Sequence, residues 1–144
     1  MAAAAEGLSK EERDAVKERA KELRDQAKAG KNRAAGEKQV QDAIAKMPEL
    51  DASIAQRIHD IVAEVAPELS PKTWYSQPAY ANADGKVIAF FQSADKFKTR
   101  YSTLGFSEDA ALDDGEMWPT SFAVTALTPA VEKAIKELIL RAIG

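Results

Sequence analysis

Residues 73–91 read Thr73-Trp74-Tyr75-Ser76-Gln77-Pro78-Ala79-Tyr80-Ala81-Asn82-Ala83-Asp84-Gly85-Lys86-Val87-Ile88-Ala89-Phe90-Phe91, and this stretch decides the fold. Aromatic and β-branched residues at Thr73-Trp74-Tyr75 form a short strand pattern that Pro78 bends or ends. Asn82-Ala83-Asp84-Gly85 is a turn signal, and Lys86 to Phe91 follows as a buried strand. Working outward, Phe97 to Phe106 reads as a further strand. Side chains alternate along a strand, so Phe97, Thr99 and Tyr101 fall on one face and Lys96, Lys98 and Arg100 on the other. Ser107 to Glu116 is an acidic loop or short helix, and Ser121 to Leu127 a last strand.

Helical periodicity brackets this meander. Val40, Ile44 and Met47 recur at helical spacing before Pro48 stops the run. Asp51 can cap the next helix, whose apolar face is Ile54, Ile58, Ile61, Val62 and Val65 up to Pro67. Thr128-Pro129 pairs an N-cap with a first-turn proline, and Val131, Ile135, Leu138 and Ile139 turn a closing helix inward. The resulting class is α+β: an antiparallel sheet of about five strands with helices packed on one face.

Residues 1–36 differ in character. Ser9 followed by Glu12 is a capping-box signature, and the helix it starts runs to about Ala29, with Gly30 as its C-cap. The apolar stripe, Val16, Ala20, Leu23 and Ala27, is thin. The segment reads as a charged helical arm and linker (1–36), with Lys31 to Gly36 as the joining loop, ahead of an α+β domain (37–144).

Composition narrows the chemistry. The 144 residues carry a net charge of −3 and no cysteine, with one histidine. Thiolate metal sites, disulfides and a cysteine nucleophile are excluded, as is any site needing two imidazoles from one chain. No window approaches the roughly 18 apolar residues of a membrane span, and the start lacks a signal-peptide core, so a cytoplasmic location is expected. The charge balance offers no basic field for nucleic acid. His59 lies at the flank of an apolar stripe without a serine elbow or glycine-rich loop to partner it, so a structural or surface histidine is expected and no enzyme.

Two binding chemistries remain. Any metal site must be oxygen-rich. Asp60, Glu64 and Glu68 are spaced four apart, on one face of the Ile54–Val65 helix, while Asp109, Asp113, Asp114 and Glu116 crowd around Gly115. Neither follows the ordered pattern of a calcium loop, and a solvated acidic face is the commoner reason for such runs. The second candidate is an aromatic and basic surface of Trp74, Tyr80, Lys98, Arg100 and Trp118. It could hold a small anionic or aromatic ligand or a protein partner, or contact single-stranded nucleic acid, although aromatics in a small domain more often fill the core.

The blocks Trp74-Tyr75-Ser76-Gln77-Pro78-Ala79-Tyr80, Asp84-Gly85-Lys86-Val87, the Phe90 to Tyr101 run and Met117-Trp118-Pro119-Thr120-Ser121-Phe122 occur in an order that resembles the YdhG-like family of small bacterial domains, over roughly Gln39 to Gly144. The resemblance implies helices on an antiparallel sheet, similar to the frataxin-like arrangement. Some members are described as frataxin-like iron chaperones, so it also implies a non-enzymatic protein with no tightly held cofactor, binding iron weakly on exposed carboxylates and passing it to cluster or haem assembly.

Overall fold

The computed structural model describes the backbone of residues 9–144. Within the first helix it describes the side chains of 9–17, 20, 24 and 32 onward. The contribution of Leu23 and Ala27 to the apolar stripe lies outside the described side chains.

The first helix, α1, spans Lys10–Ala45. Ser9 Oγ accepts from the Glu12 amide at 3.1 Å, so the helix begins at the expected cap. It does not end at Gly30, and residues 31–36 are helix rather than linker. Alanine, lysine and glutamate on both sides of the two glycines are strong helix formers, and each glycine opposes them by only about 1 kcal/mol. By its contacts the chain divides into two compact units at Ala34/Ala35, inside this helix. In the first unit Val16 is exposed.

In the second unit, α2 spans Glu49–Val65 and is followed by β1 (Ser70–Trp74), β2 (Gln77–Ala81), β3 (Val87–Gln92), the single turn α3 (Ala94–Phe97), β4 (Ser102–Phe106), β5 (Ser121–Val124) and α4 (Pro129–Ala142). The five strands form one antiparallel meander in sequential order. Pro78 sits one residue before the β2–β3 ladder begins at Ala79–Phe90, where its missing N–H costs that ladder nothing. The Asn82 side chain accepts from the amides of Asp84 and Lys86, each at 3.0 Å, and Gly85 takes the left-handed φ of 80° that closes the turn.

Because paired residues share a face, Tyr80, Ala89, Phe91, Leu104, Phe106 and Val124 form one side of the sheet and enter the core with Val40, Ile54, Ile58, Ile61, Ile135 and Ile139. Each fully buried aliphatic side chain there contributes about 1.5–3 kcal/mol. The opposite face carries Lys72, Trp74, Phe90, Thr103, Ser121 and Ala123, none of which belongs to that core. Two ion pairs, Arg57 with Glu132 and Lys136 with Glu64, tie α2 to α4. Gly36 lets the last turns of α1, within the second unit, lie against the sheet edge: a Cβ there would stand 2.0 Å from the Pro71 carbonyl oxygen.

Candidate functional site

The β1–β2 hairpin, the β3–β4 connection and the start of α2 meet at one end of the sheet. The hairpin loop is two residues, Tyr75 and Ser76, between the paired Trp74 and Gln77. Both take a left-handed φ, 51° and 63°, the geometry of a type I′ turn, which ordinarily selects Asn-Gly. In the β3–β4 connection, Lys98 has φ 54° and closes α3. Among the described residues these three are the non-glycine residues with positive φ, and all fall at this end. Strained backbone persists where its surroundings over-determine it, and it concentrates at functional sites.

The surroundings here do over-determine it. Asp51 is buried in the first turn of α2, where its carboxylate accepts from Ser93 Oγ at 2.6 Å and from the Asp95 amide at 3.0 Å. It therefore anchors the β3–β4 connection and does not cap its own helix, whose N-cap is Pro48. The buried Gln77 amide oxygen accepts from the Ser93 amide at 3.0 Å, and Ser102 Oγ accepts from the Ala94 amide at 3.1 Å. Three buried polar side chains thus fix one four-residue turn. This overturns the strand expected over Phe97 to Phe106: pairing begins only at Ser102, and Lys96, Lys98 and Arg100 lie on a turn and connection, not along one strand face.

Of the eight large hydrophobic side chains exposed among the described residues, five are at this end: Leu50, Trp74, Tyr75, Phe97 and Tyr101. Tyr75 is 76% exposed at the hairpin tip. Trp74 is 39% exposed and packs edge-on against Phe90, ring centroids 5.1 Å apart. Gly105 makes room for that ring, since a Cβ there would stand 2.3 Å from Phe90 Cζ. The Arg100 guanidinium lies 5.3 Å from the centre of the Tyr101 ring, and Lys98 is 3.9 Å from Asp95. Beside the hairpin a cleft of about 460 Å³ has a mixed wall, in which Gln39, Asp42, Lys46, Ser93 and Lys96 stand among the apolar Met47 and Pro48.

Of the expected ligand residues, Trp74, Lys98 and Arg100 come to this end. Tyr80 does not: it is 1% exposed, and its position on the core face of β2 removes it from any ligand. Its hydroxyl lies 2.9 Å from His59 Nδ1, while His59 Nε2 is 2.8 Å from both carboxylate oxygens of Glu37. With Nε2–H donated to Glu37, Nδ1 accepts the tyrosine proton, and every polar atom of the relay is satisfied. Burial, reinforced by the negative charges of Glu37 and Asp60, pushes the Tyr80 phenol far above its ordinary range. The relay pins α1, α2 and β2 together. The sequence reading placed His59 in a structural role but missed both partners, because the contact spans 22 residues to Glu37 and 21 to Tyr80.

Trp118 lies at the opposite end, half-buried against the core, in a second groove of about 500 Å³ lined also by Glu108, Asp113, Glu116 and the exposed Met117. Asp114 is exposed in the same loop, and Asp109 is 3.7 Å from Lys86 Nζ. Of the other acidic candidates, Asp60 and Glu64 are one turn apart on α2, but Glu68 does not join their face, because α2 ends at Val65 and Glu68 lies in the turn beyond it. Asp60 accepts from Gln56 at 3.0 Å, and Glu64 from Lys136 at 3.5 Å. Among the described residues no group of three or more histidine, aspartate or glutamate side chains is arranged to hold a metal ion. No described helix is long and apolar enough to cross a membrane. Comparison with protein-family models, with curated proteins and with solved structures returns no match.

Proposed function

We propose that this chain is a non-enzymatic cytoplasmic binding protein of YdhG-like type, and that it engages its ligand through the aromatic end of the sheet. The observation that carries the reading is the coincidence, at that one end, of the left-handed Tyr75, Ser76 and Lys98 with exposed aromatic rings. A hairpin that needed only to turn would gain stability from Asn-Gly. Tyr75-Ser76 instead holds a large ring out into solvent. Lys96, Lys98 and Arg100 add cationic groups beside those rings, favouring an anionic or aromatic ligand.

Iron handling, which the family resemblance implies, has less geometric support. Its best candidates, Asp113 and Glu116, line a groove together with Glu108, but among the described residues no three such side chains are arranged to hold a metal ion. The two readings separate in one experiment, a titration followed residue by residue by NMR, first with anilinonaphthalene sulfonate as an aromatic anion and then with ferrous iron. The binding-end reading predicts shifts over Trp74–Gln77 and Asp95–Ser102 with the anion. Shifts or broadening confined to Asp109–Glu116, with iron alone, would refute it.

A further inference from the structure

From the shape and charge of the aromatic end we infer that its natural occupant is an acidic segment of a partner protein, carrying an apolar anchor among glutamates or aspartates. The inference rests on the binding-end reading above and names the partner class. Small molecules bind in concave, mostly apolar cavities, where a few polar groups orient them. Here the arrangement differs. The cleft wall is mixed, with Ala43, Met47 and Pro48 among polar and charged residues, while the large rings of Trp74, Tyr75, Phe97 and Tyr101 lie outside its lining, on the hairpin tip and the neighbouring connection. Exposed Trp, Tyr and Arg around a rigid projection are the composition of a protein interface, where such residues supply most of the binding energy.

Charge complementarity sets the sign of the partner. Lys46 and Lys96 line the cleft, and Lys98 and Arg100 are exposed on the connection after it. Asp42 is engaged by Lys38 at 2.8 Å, and the buried Asp51 carboxylate is taken up by Ser93 and Asp95. The acids left open at this end are Asp95 and Glu49, and the four cationic groups outnumber them. Single-stranded nucleic acid also stacks on aromatic rings beside cations, but it requires a positive track along its backbone. Here Asp95 interrupts such a track 3.9 Å from Lys98, on a chain of net charge −3. A short peptide with spaced carboxylates and one buried side chain fits this alternation better.

The test uses the full chain, isotope-labelled, with three probes at equal concentration: an acidic peptide of glutamates around a single central phenylalanine, a single-stranded oligothymidylate, and anilinonaphthalene sulfonate. The expected result is saturable peptide binding that shifts Trp74–Gln77 and Asp95–Ser102. It should weaken at least tenfold in Tyr75→Ala and in the double variant Lys98→Glu/Arg100→Glu, and fall with added salt. Replacing the phenylalanine by serine should cost the peptide a similar factor. Spectra of the free variants that match the parent outside the substituted segment exclude misfolding. If the aromatic anion shifts this end but the peptide does not, the partner class is wrong and the site stands. Tighter binding of the oligothymidylate than of the peptide also overturns the class. If no probe shifts this end, both readings fall.

Discussion

Giving the β1–β2 hairpin an Asn-Gly loop, through the double substitution Tyr75→Asn/Ser76→Gly, should stabilise the protein while weakening its binding. Both residues hold left-handed φ values, 51° and 63°, in a two-residue loop. A non-glycine residue there carries roughly 1–2 kcal/mol of steric cost, less for asparagine. Against the relief stands the greater chain entropy that glycine loses on folding, roughly 0.5–1 kcal/mol. The Tyr75 ring is 76% exposed, so its removal forfeits little burial. The net gain is about 1–2 kcal/mol. In urea, with a slope of about 1–3 kcal/mol per molar, the midpoint should rise by roughly half to one molar at unchanged slope. The single variants divide the effect: Ser76→Gly should stabilise and leave binding intact, whereas Tyr75→Asn should stabilise and weaken binding at least tenfold. A double variant no more stable than the parent would refute the view that this turn holds strain, and with it the main structural reason for placing function there.

The remaining predictions concern the frame that carries this end. Tyr80→Phe keeps the buried ring but strips His59 Nδ1 of its partner, and should cost about 1–3 kcal/mol in urea unfolding. A double-mutant cycle with Glu37→Gln should then give a coupling of roughly 0.5–3 kcal/mol, and strictly additive losses would contradict the relay. A second consequence concerns pH. The Tyr80 phenol is raised above its unfolded value of about 10, so the folded state retains a proton that the unfolded state gives up. Its contribution is complete below that pH and declines as pH rises past it, by about 1.4 kcal/mol per pH unit. Tyr80→Phe should flatten this part of the stability profile, and an unchanged alkaline slope in the variant would count against burial as the cause. Gly36→Ala raises helix propensity by about 1 kcal/mol, yet should destabilise by roughly 1–3 kcal/mol. The reason is that its Cβ meets the Pro71 carbonyl, and stabilisation would mean that α1 stands further from β1.

Most of the fold was legible because its signals are local. The Ser9 and Thr128 caps, the Asn82–Gly85 turn, the Pro48 stop and the period of Ile54 to Val65 each announce an element within a few residues. The errors arose where a local signal had a competitor. Gly30 read as a helix end because glycine favours caps, and Gly36 as the end of a joining loop, but the flanking helix formers carry α1 through both, and Gly36 is needed for close approach to β1. The alternation from Lys96 to Tyr101 imitated a strand. Ser93, a residue suited to N-capping ahead of Ala94-Asp95-Lys96, was the available sign of a helical turn. The proposed binding end was only half legible. Trp74, Lys98 and Arg100 could be singled out by residue type, but the exposure of Tyr75 and the support from Asp51 and Gln77 depend on contacts between distant elements. Tyr80 and Trp118 misled for the same reason: an aromatic residue by itself does not say which face of the sheet, or which end, it occupies.

The account turns on which end of the sheet meets a ligand, and one comparison of affinities decides it. Anilinonaphthalene sulfonate should bind Tyr75→Ala at least tenfold more weakly than the parent, and Met117→Ala, altered at the opposite groove, as tightly as the parent. The reverse pattern, with Tyr75→Ala unaffected and Met117→Ala impaired, would contradict the account and move the site to the acidic groove beside Trp118.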